Sequence, residues 1–290
     1  MTAPIRMLVI DIDGTLLPSV GAGVSERTCR ILREAEAAGL DVVIATGRRQ
    51  AYAMPLLSPL GLRPETVLIT SNGTVTRTMA GDPIDRFFLP VETARALCPA
   101  LRPFGTTVFT FDREGAGELV LESLQSLHDR ISLWVEANRP WIREVRPLER
   151  AFDNGEAPVQ GMVCGGVAEM RRAEEWLMES PLAPQIEVHR TEYPSRNLTI
   201  VDILPAGCSK GAALRQLAEK RGIAREAILA IGDNWNDLEM LEFAGRPVVM
   251  RNGAPDLVDL ARQRGWEIAP ANDDDGVARI VESVLAESRV

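Results

Sequence analysis

Histidine is nearly absent from this chain, and the two that occur, His128 and His189, both precede the segment Gly207-Cys208-Ser209-Lys210-Gly211. That segment matches the G-x-S-x-G turn of serine esterases, but those enzymes carry their catalytic histidine after the serine, which argues against a serine triad. The four cysteines, Cys29, Cys98, Cys164 and Cys208, lie far apart and form no C-x-x-C pair. They read as buried thiols, without the spacing of a zinc or dithiol site. Neither G-x-x-x-x-G-K-[ST] nor G-x-G-x-x-G occurs, so ATP-driven and dinucleotide chemistry lack their phosphate loops. Positive charge is not in excess: 32 Lys and Arg against 41 Asp and Glu give a formal net charge of -9. The cations are scattered, so no nucleic acid partner is expected. No apolar run approaches the length of a bilayer span, and Met7 to Ile10 is too short for a signal-peptide core. The expectation is a cytoplasmic protein with no membrane partner.

What is present is an ordinary globular composition, with 46% hydrophobic and 25% charged residues over 290 positions. That length favours two domains, each able to bury its own core. Arg6 to Ile10 is a short, branched apolar run before the Gly14 turn, the pattern of a strand buried on both faces. A helix should follow, capped by Ser25, carrying the stripe Thr28, Ile31, Leu32, Ala35 and Ala38, and ending at Gly39. Val42–Ala45, Val67–Thr70, Ala227–Ile231 and Pro247–Met250 repeat the strand pattern with helices between, which predicts an α/β core with a parallel sheet.

The middle of the chain has another rhythm. Strand-like Arg86–Leu89, Thr107–Phe111, Val159–Val163, Ile186–His189 and Leu198–Leu204 are interleaved with helical Val91–Leu101 and Val167–Met178. This predicts an inserted α+β domain whose antiparallel sheet has helices on one face. Turn residues at Gly81-Asp82-Pro83 and Pro205-Ala206-Gly207 set its borders, giving core segments 1–82 and 206–290 around an insert of 83–205.

Asp11-Ile12-Asp13-Gly14-Thr15 stands where the first strand ends. A chance D-x-D-G-T in a chain of this size is on the order of a few in a thousand. Alternate strand residues share a face, so Asp11 and Asp13 can point together at the carboxyl edge of the sheet while Ile12 enters the core. These five residues resemble the first motif of haloacid dehalogenase phosphatases. Ala45-Thr46-Gly47-Arg48 resembles the second motif, Lys210 within Cys208-Ser209-Lys210-Gly211 the third, and Gly232-Asp233-Asn234-Trp235-Asn236-Asp237 the fourth, all in the family's order. The insert resembles the large α/β (type IIB) cap of the Cof-type subfamily, as do Ser71-Asn72-Gly73, Asn252-Gly253-Ala254 and Asp275-Gly276-Val277.

The resemblance implies a magnesium-dependent phosphatase of small phosphorylated metabolites, such as sugar phosphates or phosphorylated coenzymes, working as a monomer or homodimer. It makes Asp11 the nucleophile, since an ionised carboxylate can attack phosphorus to form an acyl phosphate. Asp13 becomes the general acid and then the base, which requires two neighbouring carboxyls of different protonation state. Thr46 would hold a phosphoryl oxygen and Lys210 would neutralise the transferring group. Asp11, Asp233, Asp237 and the backbone carbonyl of Asp13 would hold Mg2+, Asp237 partly through water. Asp233 or Asn234 also suits helix capping, which is compatible with metal binding. Gly47, Arg48, Asn72 and Asn236 are candidates for phosphate or substrate contacts, and Arg196 in the turn Tyr193-Pro194-Ser195-Arg196-Asn197 for contact with the leaving group. A phosphomutase would share every core motif; a non-catalytic sugar-phosphate sensor would be expected to lack one of the first two acids, and both are present.

Overall fold

The computed structural model describes residues 3–19, 23–126, 131–193 and 196–287; His128, Pro194 and Ser195 lie outside the described residues. The first segment runs β1 (Met7–Ile10), α1 (Glu26–Ala37), β2 (Asp41–Ala45), α2 (Gln50–Leu57), β3 (Val67–Thr70), β4 (Val75–Thr78) and β5 (Pro83–Arg86). Next come α3 (Val91–Leu101), β6 (Val108–Thr110), β7 (Leu119–Leu121), α4 (Ser132–Asn138), β8 (Ile142–Glu144), β9 (Gln160–Gly165), α5 (Val167–Glu179), β10 (Ile186–Tyr193) and β11 (Leu198–Pro205). The last segment is α6 (Lys210–Arg221), β12 (Ile228–Gly232), α7 (Leu238–Phe243), β13 (Arg246–Met250), α8 (Pro255–Arg264), β14 (Glu267–Ala269) and α9 (Gly276–Glu287). The chain divides into two compact units, Met1–Asp85 with Ser209–Val290, and Arg86–Cys208.

The first unit is built on an eight-stranded sheet in the order β14-β13-β12-β1-β2-β3-β4-β5. Strands β14 through β3 are parallel to their neighbours, and β4 runs antiparallel to β3. Every residue of β1 is fully buried, because alternate side chains feed two different cores. Leu8 and Ile10 pack with Ile31 and Leu32 of α1 and Val281 and Val284 of α9. Met7 and Val9 pack with Leu214 and Leu217 of α6, Met240 of α7 and Leu257 of α8. Burying each such side chain contributes about 1.5–3 kcal/mol. Helix α1 starts where Ser25 accepts a hydrogen bond from the Thr28 backbone N–H at 3.1 Å. From β1 the chain winds outward through β2 and β3 in one direction, and from β12 through β13 and β14 in the other. The ends of β1 and β12 therefore sit side by side where the strand order reverses, the usual crevice of an open α/β sheet.

The second unit has a six-stranded sheet in the order β10-β11-β9-β6-β7-β8. Phe109, Val120, Val163 and Val201 point to the face covered by α3 and α5, where Leu97, Met170 and Leu177 join them. The expectation of helices on one face only is corrected by α4: Trp134 and Val135 pack on the opposite face against Val108, Leu119, Leu121 and Cys164. The sheet is also not wholly antiparallel, since β7 and β8 run parallel across the connection that contains α4. The expected strand Arg86–Leu89 lies three residues earlier, as β5. The turn at Gly81, with φ 99°, returns the chain beside β4 at once, and Ile84 packs on the core of the first unit. The borders therefore fall three residues later than 82/83 and 205/206, after Asp85 and Cys208.

Candidate active site

Five parallel strands end in polar residues of the crevice: Asp11 follows β1, Thr46 follows β2, Ser71 and Asn72 follow β3, Asp233 follows β12, and Arg251 and Asn252 follow β13. Each strand is apolar through its middle and followed by polar residues at its exit, so burial of the sheet brings chemistry-bearing side chains from distant sequence to one edge.

At the centre is a buried ammonium. Lys210, the first residue of α6, donates to Asp11 Oδ1 at 2.6 Å and to Asp237 Oδ1 at 2.7 Å. Lys210 is 1% exposed, Asp11 4% and Asp237 0%, so these are charges removed from water, which only mutual pairing can sustain. The helix start that carries Lys210 is fixed by Ser209, whose hydroxyl accepts from the Ala212 N–H at 2.9 Å and donates to Glu239 at 2.5 Å. Burial pulls the Lys210 pKa down, but Asp11 and Asp237 outweigh it and hold the group above its ordinary value.

Asp237 is committed on both oxygens: Oδ1 to Lys210, and Oδ2 to the backbone N–H groups of Asp233 and Asn234 at 3.0 and 3.1 Å. It closes a capping box with Asn234 at the turn Trp235–Asp237, so capping and membership of the acidic cluster coincide in one residue. Asp233 is oriented by Thr15, whose hydroxyl donates to Asp233 Oδ1 at 3.0 Å. Sequence reasoning gave Thr15 no role of its own. The only signal was its place at the end of the first motif.

Asp11, Asp233 and Asp237 present carboxylate oxygens within 4.8 Å of one another. One lysine among three buried carboxylates leaves charge uncompensated. Burial, then Asp237, push Asp11 up to about 7 against the opposing pull of Lys210. Burial, then Asp11 and Asp237, raise Asp233 well above its ordinary value. An all-oxygen, electron-rich cluster short of positive charge fits a hard divalent cation.

Two glycines make the close approach of these loops feasible. Gly14 has φ 84°, and a Cβ there would lie 2.2 Å from Asp233 Oδ2. A Cβ on Gly47 would lie 3.0 Å from Asn72 Oδ1, so Gly47 makes room for the Asn72 carboxamide. Asn72 itself sits at φ 54°, ψ 31°, next to Ser71 at φ 48°, an uncommon pair of left-handed residues. Its Oδ1 accepts from Asn236 Nδ2 at 3.1 Å, tying the loop after β3 to the loop after β12. Thr46, 1% exposed, accepts from the Arg48 N–H at 3.1 Å through its hydroxyl oxygen. Asn252 donates to the Gly14 carbonyl at 2.7 Å, securing the first loop from the β13 side.

Asp13 does not join the buried cluster. Its side chain is 38% exposed and accepts two hydrogen bonds from Arg48, Nε to Oδ2 at 2.7 Å and Nη2 to Oδ1 at 2.5 Å. Arg48 stacks on Tyr52, 4.4 Å from the ring centroid, a residue that sequence reasoning did not single out. Arg196 belongs to the other unit, where it is exposed at the start of the residues preceding β11.

A family model for haloacid dehalogenase-like hydrolases matches residues 8–281. The chain is 28% identical over 299 residues to a 5-amino-6-(5-phospho-D-ribitylamino)uracil phosphatase of Bacillus subtilis, covering 97% of this chain and 98% of that protein. A solved haloacid dehalogenase-like hydrolase from Bacteroides thetaiotaomicron is 26% identical with a TM-score of 0.76, over 97% of this chain and 99% of its own. A subclass IIB sugar phosphatase of the same superfamily superposes with a TM-score of 0.76 at 22% identity, over 96% of this chain and 98% of its own, a likeness of fold.

Proposed function

The chain belongs to the haloacid dehalogenase-like hydrolase family and acts on phosphate esters, and we propose that it hydrolyses small phosphomonoesters through a phospho-aspartate on Asp11, with Mg2+. The observation that carries this reading is the buried Asp11 at the end of β1, gripped on one oxygen by Lys210 and clustered with Asp233 and Asp237. The second oxygen of Asp11 bonds to phosphorus as the ester P–O bond breaks, and the departing alkoxide takes a proton from Asp13 to leave as the alcohol. Water then bonds to phosphorus and gives its proton to Asp13 as the acyl-phosphate bond breaks, restoring the Asp11 carboxylate and releasing inorganic phosphate. Lys210 fixes the attacking carboxylate and places positive charge beside the phosphoryl group throughout. The Thr46 hydroxyl and the Asn72 and Asn236 carboxamides would contact phosphoryl oxygens.

Asp11, Asp233 and the Asp13 carbonyl would hold Mg2+, with Asp237 supporting the cluster through Lys210 and the loop amides. When bound, the ion offsets charge on the phosphoryl oxygens and on the carboxylates. The relative that acts on a ribityl phosphate supports a polyhydroxylated phosphomonoester, a sugar phosphate or a coenzyme precursor, as the substrate class.

The test is a phosphate-release screen of sugar and coenzyme phosphates with and without Mg2+, run beside Asp11→Asn. Phosphate should appear with Mg2+, cease with a chelator, and fall to background in the variant, because an amide is nearly isosteric but a very poor nucleophile. Accumulation of an isomeric ester in place of phosphate would make the enzyme a mutase. Equal rates for variant and parent would overturn the phospho-aspartate.

A further inference from the structure

Arg48 matches the second motif and was expected to contact substrate or phosphate. Its guanidinium edge is instead given to Asp13, two parallel N–H···O bonds at 2.7 and 2.5 Å. A forked pair of this kind fixes both oxygens of a carboxylate and hence its plane, which a single bond does not. Asp13 needs such fixing. It lies in a turn rather than in the strand, and its side chain is 38% exposed, so an unheld carboxylate would sample several rotamers.

Arg48 is itself held at three points. Its N–H donates to Thr46 Oγ1 at 3.1 Å, and its carbonyl accepts from the Ser71 N–H at 2.9 Å, which pins the backbone between the loops after β2 and β3. Its guanidinium lies over the Tyr52 ring at 4.4 Å, in the first turn of α2. We propose that Arg48 and Tyr52 are positioning residues for Asp13: Tyr52 braces the guanidinium, and the guanidinium aims the ionised carboxylate that takes the proton from water in the second half-reaction. This rests on the role given to Asp13 above. It removes Arg48 from the list of phosphate contacts and adds Tyr52, a residue of no catalytic chemistry, to the machinery.

The assignment predicts a split that a phosphate ligand would not give. Arg48→Met should lower kcat by about 10–100-fold on alkyl phosphates and on p-nitrophenyl phosphate alike, part of the ~10²–10⁴ that general base help is worth, because water attack on the phospho-aspartate is the same step for both. KM should not rise, and the inhibition constant of inorganic phosphate should stay within about twofold of the parent, as binding of the phosphoryl group is untouched. Arg48→Lys, which keeps the charge but not the fork, should be impaired in the same way. Tyr52→Ala, which removes the ring beneath the guanidinium, should lose about two- to fivefold, the worth of a cation–π contact.

The closing measurement is a double-mutant cycle with Asp13→Asn. If Arg48 acts through Asp13, Arg48→Met adds no further loss of kcat in that background. An equal loss in both backgrounds, or a rise in the phosphate inhibition constant that matches the fall in kcat, makes Arg48 a phosphate ligand and overturns the proposal. Full activity of Arg48→Lys on the alkyl ester overturns it as well. Failure of the reaction itself is separately visible, because Asp11→Asn would then turn over like the parent.

Discussion

Asp11 shows how one side chain can be at once the reactive group and a source of instability. Burial, with Asp237 adding to it, raises its pKa from 3.8 to about 7 in the absence of a metal, although Lys210 lies at 2.6 Å. The folded chain therefore holds a proton that the unfolded chain has released between those two values, so this group's contribution to stability falls as pH rises through that window. Asp11→Asn has no such proton. In urea titrations with chelator present, the stability of the variant relative to the parent should grow from about pH 4 to about pH 7. A constant difference would show that the fold does not strain the carboxylate. Added Mg2+ should stabilise the parent more at the upper pH than at the lower, since protonated carboxylates are poor ligands.

At the scale of elements, the site depends on how helices begin. Helix α6 starts at Lys210 because Ser209 caps it, and the same hydroxyl reaches Glu239 at 2.5 Å in α7. Ser209→Ala should cost about 1 kcal/mol through the lost cap. It should also lower kcat by less than Lys210→Ala does, because the ammonium remains but its helix turn is looser. Urea unfolding and phosphate-release kinetics on the two variants check both statements, and a stability equal to that of the parent would show that the cap is dispensable. Elements built on four contiguous apolar residues, such as β1 and β12, were legible from the sequence. Strands β7 and β8, three residues each, were not, since so short a run carries no period. Strand β7 is placed by pairing with β6, β8 by pairing with β7, and both by the cover that Trp134 and Val135 supply.

At the scale of the molecule, the candidate catalytic residues of the core gather in one of the two units. All the residues of the acidic cluster, Lys210 and the Arg48–Asp13 pair belong to the first unit. The second unit carries Arg196, exposed before β11. Among the described residues no helix is long and apolar enough to cross a membrane. If the inserted unit selects the leaving group, Arg196→Ala should change the ratio of kcat/KM between anionic sugar phosphates and p-nitrophenyl phosphate by about 10-fold, in the range of a lost ionic contact. A variant that scales every ester equally would remove Arg196 from the specificity surface.

The sequence by itself determined the α/β class, the order of the motifs and the identity of the acids, because a buried parallel strand must be apolar along its length and its polar exit is visible as a break in that run. It could also name Arg48 and Asp237 as polar residues in motif positions. What each of them touches was decided only by the tertiary structure. The fork between Arg48 and Asp13 spans 35 positions, and the pair from Lys210 to Asp11 spans 199. Such partners share no local period, and a pairing between loops of different strands exists only once the sheet has set the strand order. The same holds for Asp237, whose turn position is local but whose second partner, Lys210, arrives on a helix that packs against its own.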